Sequence, residues 1–410
     1  MQGMSGNSYE GLVCLECGKA YDSTTLSVCE SCGGILTGRY NLDDVEIDLK
    51  NRGRSIWHFK DLFPPVSPEN ITSLNEGWTP YVEAKSYGKE IGASNLWCKL
   101  EGQNPSGSFK DRVGSMEVSL VKEWHKEGIF TASSGNAAAA ISTYAARGGI
   151  KSLLLVREDS TISKLGQISM YDPTIIRVRN LFSTKDSLFK ALQKVQEALP
   201  TWHNGFVWAP FNPLALDALK TVAYEIAATH TPDYIIVPTA GGDLLYAIFK
   251  GFSELKELGL VDSIPKMVPV QGAGANPLVQ AIDRKLDSVE DTETADTIAG
   301  ALRVNFGANH PLMAVKGSGG FGITVTDAEI MDAQKEIAKR EGIFSEMSSA
   351  TALAAVKRAI SDGRIRGDET VSAMITGNGF KDYVPRFTSA EQVTLMNSVD
   401  ELSEKIKGLV

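Results

Sequence analysis

Asn104-Pro105-Ser106-Gly107-Ser108-Phe109-Lys110-Asp111-Arg112 sets one lysine just after a small-residue turn and at the head of a helix-like run. In that run, 113–124, apolar residues recur at Val113, Met116, Val118, Leu120, Val121 and Trp124. A lysine at such a junction can turn its amine into a cavity, where burial lowers its pKa. An amine so prepared can form an imine with an aldehyde cofactor. Taken alone, the stretch reads as a solvated lysine in the first turn of a helix, so the decision passes to the rest of the chain.

Around it, short β-branched runs alternate with helical ones. Segments 152–156, 174–178, 234–238, 267–271 and 371–375 read as buried parallel strands. Helical patterns lie between them, as at 188–199, 215–228 and 327–341. Strands alternating with helices at this spacing predict an α/β fold with parallel sheets. Ligands of such sheets bind where strands give way to glycine-rich turns and helix N-termini.

Three junctions have that form. Thr131-Ala132-Ser133-Ser134-Gly135-Asn136 opens a small-residue helix, 137–146, whose free N–H groups and hydroxyls suit a carboxylate. An ordinary capped, buried helix is the alternative there. Val237-Pro238-Thr239-Ala240-Gly241-Gly242-Asp243-Leu244 carries a strand through a glycine pair into a helix, an arrangement that wraps backbone N–H groups around a phosphate. Asp243 counts against that reading, because a carboxylate repels phosphate unless it caps the helix. Met374-Ile375-Thr376-Gly377-Asn378-Gly379 ends a strand in a Gly-x-Gly turn, and the Thr376 hydroxyl can bond a heteroaromatic nitrogen without protonating it.

A chain of 410 residues exceeds one ordinary core, so two or three domains are expected. Its 43% hydrophobic and 22% charged content is that of a soluble globular protein. A formal charge of -9 argues against a nucleic-acid partner, and no 18-residue apolar run exists to span a membrane. Met1-Gln2-Gly3-Met4-Ser5-Gly6-Asn7-Ser8 lacks a basic start and an apolar h-region, so a cytosolic compartment is expected. Disulfides are disfavoured there. Four of the five cysteines fall as Cys14-x-x-Cys17 and Cys29-x-x-Cys32, each pair in a glycine-containing knuckle. Such knuckles can set four thiolates around a structural zinc, as in a zinc ribbon; a metal-free loop or redox thiols are the alternatives. Cys98 alternates with apolar neighbours and reads as a buried strand residue.

The order Lys110, Ser133-Ser134-Gly135-Asn136, Gly241-Gly242 and Thr376-Gly377-Asn378-Gly379 resembles the threonine synthase branch of the fold-type II pyridoxal-phosphate enzymes. Further matching pieces are Glu76-Gly77-Trp78-Thr79-Pro80, Pro269-Val270-Gln271-Gly272, Ser318-Gly319-Gly320, Glu341-Gly342-Ile343-Phe344 and Phe380-Lys381-Asp382. The resemblance implies two three-layer α/β/α domains with parallel sheets behind an N-terminal zinc-ribbon-like module. The expected division is 1–48 for the module, 49–90 with 205–395 for a large cofactor-binding domain, 91–204 for a smaller domain, and 396–410 for a C-terminal helix.

It further implies that Lys110 carries pyridoxal 5'-phosphate and shuttles protons, with Phe109 beside the ring. Asn136 would bond the cofactor's 3-hydroxyl, and Ser133, Ser134 and Gly135 would hold the substrate carboxylate. Backbone amides of Thr239, Ala240, Gly241, Gly242, Asp243 and Leu244 would bind the phosphate, and Thr376 would face the pyridine nitrogen. A neutral partner there leaves the nitrogen unprotonated and favours elimination. The implied activity is phosphate elimination from O-phosphohomoserine with water addition at Cβ; a β-eliminating or β-replacing enzyme on serine, threonine or O-activated serine is the rival. A non-catalytic zinc-ribbon relative is a third reading, opposed by the imine-forming lysine. A homodimer is implied, acting on a small amino acid.

The chain departs from the family where Gly-Asn-Ala-Gly-Asn becomes Thr239-Ala240-Gly241-Gly242-Asp243, where Ala218-Leu219 precedes Lys220-Thr221 without a glycine, and around Ser160–Leu165. Arg157, Lys164, Lys185 and Arg303 are the basic candidates for a substrate phosphate.

Overall fold

Three sheets organise the chain, and the apolar faces of their strands explain which helices cover them. The computed structural model describes residues 8–43, 45–160 and 162–382, with no side-chain description for 162–164. The helix expected at 396–410 lies outside the described residues.

The N-terminal module holds β1 (Tyr9–Cys14), β2 (Ala20–Tyr21) and β3 (Leu36–Tyr40), an antiparallel sheet in the order β2-β1-β3. Next come β4 (Tyr81–Glu83), α1 (Lys85–Ile91), β5 (Asn95–Leu100) and α2 (Lys110–Glu123). The middle of the chain runs β6 (Gly128–Ala132), α3 (Asn136–Gly148), β7 (Lys151–Arg157), α4 (Ile162–Ser169), β8 (Thr174–Val178), α5 (Lys185–Ala198) and β9 (Trp202–Asn204). Then follow α6 (Ala215–Ala227), β10 (Tyr234–Pro238), α7 (Asp243–Glu257), β11 (Lys266–Gly272) and α8 (Pro277–Asp283). The described chain closes with α9 (His310–Ser318), β12 (Ile323–Val325), α10 (Asp327–Glu341), α11 (Met347–Ser361) and β13 (Thr370–Ile375).

The larger sheet has the order β12-β11-β10-β13-β5-β4, parallel throughout except for the edge strand β4. Along β10, Ile235 and Val237 pack with Leu219, Ile248 and Leu312 of α6, α7 and α9. Tyr234 and Ile236 point to the other face, into a cluster with Tyr87, Ile330 and Leu353 of α1, α10 and α11. Helices cover both faces, which is why the strand reads as a continuous apolar run. In the smaller sheet, β8-β7-β6-β9, all strands are parallel. Phe130 and Leu155 meet Leu188 and Leu192 of α5, whereas Ile129 meets Val118, Val121 and Ile141 of α2 and α3. Both units are therefore α/β/α layers.

The boundary expected at residue 91 is corrected by β5. That strand pairs with β13 over six residues, from Asn95–Thr370 to Leu100–Ile375, so 95–100 belong to the larger sheet. Leu96 and Cys98 pack in the same cluster as Val371 and Ala373. Alternation announces a strand but not its sheet. Cys98 is fully buried, and burial pushes its thiol up to about 12, so it is inert.

The cysteine module docks on α6 and α7 by packing Leu12 and Leu36 into their apolar cluster and by two lysines of those helices. Lys250 donates to the Thr37 hydroxyl (2.9 Å), the Gly38 carbonyl (2.7 Å) and the Asp217 carboxylate (2.5 Å). The Lys220 ammonium lies 3.7 Å from the centre of the Tyr40 ring. Among the described residues, no helix is long and apolar enough to cross a membrane.

Candidate active site

Strands β6, β10 and β13 all deliver their C-terminal ends to one cavity of about 860 Å³. Phe109, Lys110, Ser133, Ser134, Gly135, Asn136, Ala240, Gly241, Gly242, Asp243, Leu244 and Thr376 line it together. The lysine and three junctions spread from Lys110 to Thr376 in sequence thus converge, at the edge of the sheet where open α/β folds bind ligands.

Lys110 is the first residue of α2, half-buried, with its ammonium 4.6 Å from the centre of the Phe109 ring. Burial lowers its pKa, and the negative charge of Asp243 offsets part of that fall. Two residues on, Arg112 is fully buried and forks onto Glu101 (2.7 and 2.8 Å) and Glu225 (2.5 and 2.8 Å). Lys99 adds a 2.6 Å bond to Glu225. Burial alone would raise the Glu225 carboxyl; Arg112 and Lys99 outweigh it and hold it at about 2. This balanced set ties the head of α2 to β5 and α6. Asp111 accepts from the Ser106 amide (2.8 Å) and hydroxyl (2.7 Å), and burial pushes its carboxyl up to about 6. The Phe109 amide donates to the Thr376 carbonyl at 3.0 Å, joining the lysine turn to the third junction.

The second junction has the build of a phosphate cradle. Gly242 sits at φ +94°, and a Cβ there would lie 2.4 Å from Pro311, so only glycine fits. Helix α7 has no side-chain cap and its first intrahelical bond is Tyr246 N–H to Gly242 carbonyl, which leaves earlier amides for a ligand. The Asp243 carboxylate is engaged by the Ala209 amide (3.2 Å) and the His310 ring (2.9 Å). Thr239 corrects the sequence expectation. It does not line the cavity: its amide donates to the Val270 carbonyl (3.0 Å) and its hydroxyl to Val237 (2.7 Å), because it still belongs to the strand ladder.

At the first junction Gly135 precedes α3, and Asn136 donates its side-chain amide to both oxygens of Glu346 (3.0 and 3.2 Å). Glu346 is buried and lines the cavity. It carries no composition signal as a site residue; the glycine stop at Gly342 and the start of α11 at Met347 are the local features that frame it. A Cβ on Gly377 would lie 2.6 to 2.7 Å from the Glu346 carboxyl, so the Gly-x-Gly turn makes room for that acid. The Thr376 hydroxyl is within 2.9 Å of the Ser349 hydroxyl, and both are neutral.

Of the basic candidates, Arg157 and Arg303 line the cavity, and Lys381 joins them. Arg157 forks onto Asp159 at 2.9 and 3.0 Å. Lys381 donates to the Gln167 side chain (2.7 Å) and the Ser106 carbonyl (2.9 Å), and burial lowers its pKa. Lys185 instead lies over Phe189 and Trp208, and the side chain of Lys164 is outside the described set.

Away from the cavity, the sulfurs of Cys14, Cys17, Cys29 and Cys32 all lie within 4.8 Å of one another. Four thiols so placed fit a tetrahedral four-thiolate zinc with no open position.

Residues 72–377 match the family described as "Pyridoxal-phosphate dependent enzyme". The threonine synthase of Methanocaldococcus jannaschii is 36% identical over 380 residues, 90% of this chain and 92% of that protein. The threonine synthase of Methanosarcina acetivorans is 34% identical over 408 residues, 97% of this chain and 98% of its own length. A maize serine racemase structure has a TM-score of 0.64 at 21% identity, covering 81% of this chain and 93% of that one, a likeness of fold.

Proposed function

We propose, from the premise that this chain belongs to the pyridoxal-phosphate dependent enzymes, that it is a carbon–oxygen lyase of the threonine synthase type. Its reaction would convert O-phosphohomoserine and water to threonine and phosphate. The observation that carries this reading is the cavity shared by a lysine of lowered pKa, a phosphate-sized amide cradle and three further cations. The cofactor, once bound, supplies the electron sink for carbanion chemistry.

The chain's own residues supply the rest. Lys110 holds the cofactor and moves protons at the substrate's α-carbon. Amides of Ala240 to Leu244 hold the cofactor phosphate, and Phe109 packs beside its ring. Asn136, steered by Glu346, meets the 3-hydroxyl. Thr376 offers a neutral hydroxyl to the ring nitrogen, which favours elimination. Ser133, Ser134 and Gly135 take the substrate carboxylate at the start of α3. Arg157, Arg303 and Lys381 form the cation set for the departing phosphate. Cys14, Cys17, Cys29 and Cys32 bind a structural zinc, and the enzyme works in the cytosol as a homodimer.

Turnover of O-phosphohomoserine, O-phosphoserine, serine and threonine, compared side by side on the holoenzyme, tests the assignment. Stoichiometric phosphate and threonine from O-phosphohomoserine are expected. Phosphate without threonine, or preferred deamination of serine or threonine, would replace it with the β-eliminating reading.

A further inference from the structure

A carboxylate at the mouth of a phosphate cradle needs a compensating partner. Asp243 is the first residue of α7, buried, and lines the same cavity as the free amides of the glycine pair. An unpaired negative charge there would oppose a phosphate in a medium of low effective dielectric. One of its oxygens accepts from the His310 Nε2 at 2.9 Å and from the Ala209 amide at 3.2 Å.

His310 has no other polar attachment among the described residues. It is wholly buried at the first position of α9, and its Nδ1 has no hydrogen-bond partner there. Its ring also meets the Tyr246 ring edge-on, with centroids 5.7 Å apart. A buried imidazole that makes a single polar contact is poorly explained by the needs of its own helix. The next residue, Pro311, is packed so closely on Gly242 that a Cβ there would lie 2.4 Å away. The imidazole is therefore fixed against the loop, with its Nε2–H aimed at Asp243.

We propose that His310 is a positioning residue that holds the Asp243 carboxylate by a hydrogen bond and turns it away from the amides, and so lets a carboxylate stand in the cofactor-phosphate loop. The proposal rests on the reading of that loop as the phosphate cradle. It makes a prediction about combinations of changes. His310→Phe removes the ring N–H and leaves the carboxylate beside the phosphate without that hydrogen bond. Asp243→Asn removes the charge while keeping an oxygen for both donors. The second change should therefore repair the first.

Dissociation constants of pyridoxal 5'-phosphate and of phosphate-free pyridoxal, measured by absorbance titration of the apoprotein, test this on four proteins. His310→Phe is expected to weaken pyridoxal 5'-phosphate by about tenfold or more and to leave pyridoxal unchanged. The double variant, Asp243→Asn with His310→Phe, is expected to regain most of that loss. Equal losses for both ligands, or a double variant no better than His310→Phe, would overturn the proposal. Should His310→Phe not fold, Asp243→Asn alone decides: binding at least as tight as wild type supports the compensation, and markedly weaker binding refutes it. A wild-type apoprotein that binds both ligands equally would overturn the cradle reading itself, and with it the proposal.

Discussion

Replacing Arg112 by methionine would leave Glu101 and Glu225 facing a single ammonium, that of Lys99, in a fully buried site. Arg112 makes five hydrogen bonds there: two to Glu101, two to Glu225 and one to the Thr221 hydroxyl at 2.8 Å. Removing one partner of a buried ion set costs about 3–5 kcal/mol, because it strands an uncompensated charge. That is a large share of a total stability of about 5–15 kcal/mol. Arg112→Lys should recover little, since an ammonium cannot fork onto two carboxylates. Adding Glu225→Gln to Arg112→Met restores one cation to one anion, Lys99 to Glu101, and should return at least about 1 kcal/mol. Urea unfolding followed by circular dichroism reads all three variants. A loss below about 1 kcal/mol for Arg112→Met, or a double variant less stable than Arg112→Met, would refute the reasoning.

Gly377→Ala should push the Glu346 carboxyl away from Asn136 and weaken pyridoxal 5'-phosphate binding without unfolding the chain; unchanged affinity in an absorbance titration would contradict this. Asp111 has a folded pKa of about 6, raised from 3.8 by burial, so its contribution to stability is present below about pH 4 and lost as pH rises through about 6. Asp111→Asn should therefore flatten the pH dependence of unfolding across that window, by up to about 3 kcal/mol; parallel curves for the two proteins would refute it. Stripping zinc, or Cys14→Ser, should lower the thermal midpoint, because the module's β3 is bonded to Lys250 of α7. Metal analysis of the intact protein that finds no zinc would end that reading.

Much of the fold was legible because most of its strands are buried on both faces; β8 at 174–178, expected to be buried as well, is a parallel strand with no buried residue, because it lies at the edge of the smaller sheet. The segments around 152–156, 174–178, 234–238, 267–271 and 371–375 are all strands, and Lys110 does open a helix. Less legible were β9 and β12, three residues each, too short to show a period. The sheet to which β5 belongs depends on a partner 275 positions away, Asn95 with Thr370, which no local pattern records. In the cavity, the glycine pair, the Ser-Ser-Gly-Asn turn and Thr376 were readable because each has a backbone signature. Glu346 and His310 were not, nor was the place of Lys381 in the cavity, since a lone polar or charged residue looks the same whether it faces water or a cavity. Thr239 misled for the opposite reason: it adjoins the loop in sequence, yet its amide remains in the sheet.

Lys110, and not the second cavity lysine Lys381, is the proposed carrier of the cofactor. Borohydride reduction of the holoenzyme, followed by proteolysis and mass spectrometry, tests it directly. The expected result is a pyridoxyl group on the peptide containing Lys110, and its loss in Lys110→Ala. A pyridoxyl group on Lys381, or no labelled lysine in the cavity, would contradict it.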